Sequence, residues 1–196
     1  GVRDTPDDLV VRELWDRGRS ELPETQVCED YVDELDARLG PASHRLGSTW
    51  SEAGAWFSII GAGHDGAGEN ERGVALCAQL GEQRLFVQGD LPAEQAMAAA
   101  RNCGPVDLLW LGHHGAADAL DARGELLELL DPDLVIVSAG QGNHYCHPHA
   151  TTLQRLVERR VLLLGLPAWG DDCPYDASAW STSFSIQRGG VWIPVE

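Results

Sequence analysis

Lysine is absent from this 196-residue chain: all 14 basic residues are Arg, set against 31 Asp plus Glu, for a formal charge of −17. So acidic a chain repels a polyanion unless something reverses the sign locally, which argues against a broad basic surface for DNA or RNA. A bound metal ion is one such local reversal. No apolar run is long enough to cross a bilayer, so the stretch reads as a soluble domain without a transmembrane segment. The choice between a cytoplasmic protein and an extracytoplasmic domain of a larger membrane protein stays open. The five cysteines are odd in number, widely spaced and free of any C-x-x-C pair, so neither a disulfide framework nor a zinc ribbon is expected. They read as small core or surface residues, with only Cys146 inside a polar cluster. The chain opens on Gly with no basic and apolar leader, which suggests a cut or processed end.

What is present is enough for one ordinary domain: 43% hydrophobic residues support a real core. After an acidic opening, residues 24–39 carry Val27, Tyr31, Leu35 and Leu39 at a four-residue step, which predicts a helix stopped by Gly40-Pro41. Strands are predicted at 56–60 and 74–80, flanking a glycine-rich loop over 61–68, and a tight turn at Gly81-Glu82 leads into a strand over 84–88. Pro92 starts a helix running to about Arg101. Strand 107–111, helix 120–130, strand 134–138, helix 151–160 and strand 161–165 follow, and a hairpin over 183–187 and 191–193 closes the chain. Strands first and alternating units later imply a layered α/β domain. The tryptophans, Trp56, Trp110 and Trp192 among them, read as core and edge packing.

Three of the strands end in polar motifs. Gln88-Gly89-Asp90, Gly112-His113-His114-Gly115 and Gly142-Asn143-His144-Tyr145-Cys146-His147-Pro148-His149 bring one Asp and several His to one edge of the sheet, where they reach a metal or a substrate while the strands stay packed. Bland readings stand beside each. A Gly-Asp after a strand is often a turn whose carboxylate caps a helix, and His113-His114 can be one core and one exposed histidine. At least one of His147 and His149 reads as part of a helix start, His144 as solvent-facing, and His64 as a residue of the glycine-rich loop.

In order and spacing these motifs resemble the metallo-β-lactamase-like domain of the ComEC competence proteins and their stand-alone relatives. Residues 70–76 look like that family's Asn-rich lead into the strand before Gly-Asp, and 183–192 like its closing hairpin. The likeness covers roughly 56–193 well and 1–55 weakly. It implies a single domain over 1–196 with an αββα sandwich and a site for one or two divalent metals at the strand ends. By position Asp90 is the bridging carboxylate and His113 the imidazole ligand, and carboxylate with imidazole suits Zn²⁺ or Mn²⁺. His114 binds substrate or supports a ligand, and His147 positions a scissile phosphate or protonates a leaving group. The implied activity is a metal-dependent hydrolase, phosphodiesterase or nuclease-like. The alternatives are a catalytically silent module or fragment, and a hydrolase of a small ester, lactone or thioester.

The chain departs from the family in its first part. A His-x-His-x-Asp-His motif should precede a Gly-Gly-hydrophobic turn, whereas the first His here is His44 and the chain opens on Gly1-Val2. The expectation is therefore a sandwich lacking its N-terminal strands, with principal metal ligands upstream. Gly73 and Ala116 stand where relatives tend to carry Ser, and Cys146 where they tend to carry Gly.

Overall fold

A computed structural model describes residues 15–16, 44–45, 49–52, 54–61, 68, 70–140, 143–165 and 172–174. Contacts divide the chain into two compact units, Gly1–Ser48 and Thr49–Glu196. In the first unit the described elements are β1 (Trp15–Asp16) and β2 (His44–Arg45), a parallel pair. The predicted helix over 24–39, the hairpin over 183–193, His64, Cys28 and Trp192 lie outside the described residues.

The second unit is built on a seven-stranded mixed sheet in sequence order: β3 (Thr49–Glu52), β4 (Ala55–Gly61), β5 (Val74–Leu80), β6 (Gln83–Val87), β7 (Leu108–Trp110), β8 (Leu134–Val137) and β9 (Leu162–Gly165). β3 to β6 form an antiparallel meander, and β6 to β9 run parallel. Each parallel connection carries a helix: α1 (Ala93–Cys103), α2 (Glu125–Leu130) and α3 (Ala150–Arg159). Crossovers that step one strand at a time in the same direction lay their helices on one face of the sheet. That face is a single cross-strand row, Cys77, Phe86, Leu109, Val135 and Leu163, each paired with the next and all buried. Against it pack Ala96 and Ala100 of α1, Leu126 and Leu130 of α2, and Leu153 and Leu156 of α3. Alanine lets α1 lie close to the sheet, and Gly104 (φ 74°) ends it by donating its N–H to Ala100 O. The described residues thus supply a mixed α/β sheet with one helical layer.

Most expected elements stand within a residue or two of their predicted bounds. β3 is an addition: a four-residue edge strand, joined to β4 by a turn at Gly54, is too short to show a period. The helix expected over 120–130 begins only at Glu125. Asp121 turns the chain first: its carboxylate accepts from the N–H groups of Arg123, Glu125 and Leu126, a local alternative to another helical turn.

Two expectations fail. The cysteines are not all independent small residues: Cys77–Cys103 joins β5 to the last residue of α1, and Cys146–Cys173 ties the loop beside His147 to residue 173. These partners lie 26 and 27 residues apart, so nothing in local spacing announces them. Nor are Trp56 and Trp110 core residues. They are 38% and 43% exposed: Trp110 points to the sheet face opposite Leu109 and the helices, whereas Trp56 lies on the Cys77 face, two residues before Ser58, near the start of β4.

Candidate active site

The parallel run of β6, β7 and β8 brings three loop beginnings to one sheet edge, as the motifs predicted. Antiparallel β5 starts at the same edge, so residues 70–73 join them. Gln88, wholly buried, ties this edge together. Its amide nitrogen donates to Leu91 O (2.7 Å) and Ala119 O (2.9 Å), and its oxygen accepts from Gly112 N–H (3.0 Å). Gly89 has φ +65°, and a Cβ there would strike the carbonyl oxygen of Val74. A Cβ on Gly112 would lie 2.6 Å from Gly89 O, so both glycines are required by close approach of the two loops.

Past Gly112 the backbone turns through a short 3-10 segment, His113–Gly115, in which His113 and His114 both take positive φ (47° and 54°). Left-handed backbone at two successive non-glycine residues is costly and persists where surrounding bonds enforce it. Here His113 N–H donates to Gly89 O and Ala116 N–H to His113 O. The His113 ring lies between two partners, with Nδ1 3.1 Å from Asp118 Oδ1 and Nε2 3.1 Å from Asn70 Nδ2. His114 is exposed, and its Nδ1–H donates to Ser138 O at 2.7 Å, so in the neutral ring Nε2 carries the lone pair.

His147 occupies the middle of the cluster. Its ring centroid is 5.5 Å from His113, 6.4 Å from His114, 5.1 Å from His149 and 5.8 Å from Tyr145. Asn143 clamps its backbone from both sides, accepting from His147 N–H and donating to His147 O, each at 2.8 Å. The following peptide, His147-Pro148, is cis. Nδ1 of His147 is buried and has no hydrogen-bond partner among the described residues. Burial, then the neighbouring His149, His113 and His114, push its pKa below the usual histidine value, against a smaller opposing pull from Asp118. His149 sits at the start of α3, its N–H bonded to Gly115 O and its ring to Tyr145 O, which is the structural role expected of one of the two histidines. His144 is exposed, as expected.

Asp90 is exposed at the same edge, one residue past Gly89. An open pocket of about 420 Å³ is lined by Gly68, Asn70, Glu71, Pro92 and Asp118. The donor chemistry suits a divalent cation: exposed carboxylate, imidazole, and an imidazole whose other nitrogen faces a carboxylate. The set is partial, since among the described residues no group of three or more His, Cys, Asp or Glu side chains is placed to hold a metal ion.

Sequence reasoning brought Asp90, His113, His114 and His147 to this edge but gave no role to Gln88, Asn143, Asn70 or Asp118. Gln88 and Asn143 lay inside the quoted motifs, and a polar residue at a strand's buried end is the available signal for Gln88. Asp118 had none, because only the left-handed turn at 113–114 brings it back to a ring five residues earlier.

No family model matches the chain. Over 112 residues it is 29% identical to Recombination protein 2 of Haemophilus influenzae, covering 56% of this chain and 14% of that protein. Over 103 residues it is 32% identical to ComE operon protein 3 of Bacillus subtilis, covering 51% of this chain and 13% of that protein. The chain therefore spans about one seventh of the length of these curated relatives. Among solved structures, a point mutant of CmlA beta-hydroxylase matches 70% of this chain and 34% of its own, at 17% identity and a TM-score of 0.43, too loose a likeness to bear on the fold. The similarity to a ComE operon protein agrees with the ComEC part of the expected resemblance.

Proposed function

We propose that this chain is a metal-dependent hydrolase domain of the metallo-β-lactamase superfamily, related to the ComEC competence proteins and acting on a phosphodiester. The observation that carries this reading is the convergence of the Gln-Gly-Asp, Gly-His-His-Gly and His-Pro loops at the ends of adjacent parallel strands, with the His147 ring 5.5 Å from that of His113. The relatives named above support it. In this reading the sheet and helices form half of an αββα sandwich. Asp90 and His113 would hold Zn²⁺ or Mn²⁺, one ion or two. When bound, a divalent ion supplies Lewis acidity and lowers the pKa of water at the site. It also offsets Asp90, Glu71 and Asp118, which otherwise repel a phosphate.

The chain's own residues divide the remaining work. His147, with its lowered pKa, is neutral near pH 7 in the free protein and so acts first as a proton acceptor. Having taken up a proton, it can return it to a leaving oxygen. His114, exposed and held through Nδ1–H by Ser138 O, binds substrate at the rim. The test is the metal-loaded protein assayed on a generic phosphodiester and on single-stranded DNA, with metal content measured for every variant. Asp90→Ala should lose metal and turnover together, and His113→Ala likewise. His147→Ala should keep metal and lose roughly 100-fold or more in turnover. Full activity and full metal in Asp90→Ala would overturn the proposal.

A silent module is the second reading, favoured by the partial donor set among the described residues. Wild-type protein that binds neither Zn²⁺ nor Mn²⁺ would establish it.

A further inference from the structure

Asp118 lies outside every strand-end motif, is half exposed, lines the pocket, and places Oδ1 3.1 Å from His113 Nδ1. Its backbone is fixed independently, since Asp118 O accepts from Ala93 N–H at 2.8 Å where α1 begins. On the other side of the ring, Asn70 Nδ2 approaches Nε2 at 3.1 Å. An ionised carboxylate only accepts hydrogen bonds, so Nδ1 must carry the proton. An amide nitrogen only donates, so Nε2 must offer its lone pair. Two partners on separate segments of chain thus require the same tautomer.

We infer that Asp118 is the positioning residue of this site: it fixes His113 as the Nδ1–H tautomer and so presents the Nε2 lone pair toward Asn70 and the pocket that Asn70 lines. A ligating histidine commonly donates its second N–H to a carboxylate, which orients the ring and strengthens the free nitrogen as a donor to metal. Asn70 stands in the approach to Nε2, and its amide would have to give way for His113 to hold a cation there. The consequence for metal binding rests on the proposed role of His113, whereas the tautomer assignment does not.

The two parts separate in one set of samples. The full chain, labelled with ¹⁵N-histidine, is examined by long-range ¹H–¹⁵N correlation without metal, and then titrated with Zn²⁺. Wild type should show one-sided Nδ1–H coupling at His113. Asp118→Ala should lose that pattern to a mixture of tautomers, Asp118→Glu should restore it, and the isosteric Asp118→Asn should weaken it if Ala unfolds the loop. On adding Zn²⁺, Asp118→Ala should bind roughly 10- to 100-fold more weakly than wild type, and Asn70→Ala no more weakly. A wild-type ring protonated on Nε2, or a pattern unchanged in both Asp118→Ala and Asp118→Asn, would overturn the inference. A correct tautomer whose Nε2 fails to respond to Zn²⁺ would leave Asp118 as a positioning residue and remove His113 from the metal site.

Discussion

Gln88 shows how one side chain can hold a site without touching its chemistry. Its three hydrogen bonds join the loops after β6 and β7 and the segment before α2, all in a region shut off from water. Removing them leaves two carbonyls and one N–H unsatisfied, so Gln88→Ala should lower stability by roughly 2–4 kcal/mol in a denaturant titration. Gln88→Glu keeps the shape but sets an acceptor oxygen against two carbonyl oxygens, and should fall below the alanine variant at pH 7. At the same scale, His147 makes a pH prediction. Its folded pKa lies below the unfolded value, so the unfolded chain binds the proton first and stability falls as pH drops below about 6.5. His147→Gln should flatten that decline between pH 7 and pH 5, as read from the melting temperature. Equal slopes for the two proteins would remove His147 as a source of acid sensitivity.

At the scale of elements, the short helix α2 depends on the turn before it. Burial alone would raise the Asp121 pKa, but the N–H groups of Leu126, Glu125 and Arg123 together outweigh it and hold the carboxyl below its usual value. Asp121→Ala should therefore cost about 1–2 kcal/mol near neutral pH. The wild-type advantage is present above the unfolded carboxylate pKa and is lost as pH falls through the folded one, so the two proteins should converge in strong acid. This turn also marks what a sequence can announce. β5 and β6 were legible because apolar residues filled them and Gly81-Glu82 separated them, and the parallel strands because each ended in glycine. The edge to which their loops deliver Asp90, His113, His114 and His147 followed from strand direction alone. The start of α2 was not legible, since Leu120 and the apolar residues after it fit a helical period whether or not Asp121 captures the first N–H groups. Asp118 was hidden for a related reason: its partner is set by left-handed backbone at His113 and His114, which no periodicity reports.

For the whole molecule, the two disulfides alter what composition implied. Each closes a loop of nearly thirty residues, and in the chain-entropy account a bridge of that span stabilises by about 3 kcal/mol. Bridges of this kind persist in oxidising compartments. They differ in access: Cys77 and Cys103 are buried between β5 and α1, whereas Cys146 and Cys173 are only half-buried beside the candidate site. Thiolate attack needs a path to sulfur, so a mild reductant without denaturant should open Cys146–Cys173 and spare Cys77–Cys103. Alkylation and peptide mapping would then find new label at Cys146 and Cys173 alone. Cys146 adjoins His147, whose backbone Asn143 clamps, so in the proposed hydrolase this first reduction should lower turnover as well as stability. Full reduction in denaturant, followed by refolding under reductant, should shift the unfolding midpoint well below that of the oxidised protein. Label appearing at Cys77 and Cys103 together with the other pair, under native conditions, would mean that α1 opens from the sheet as readily as the site loop moves.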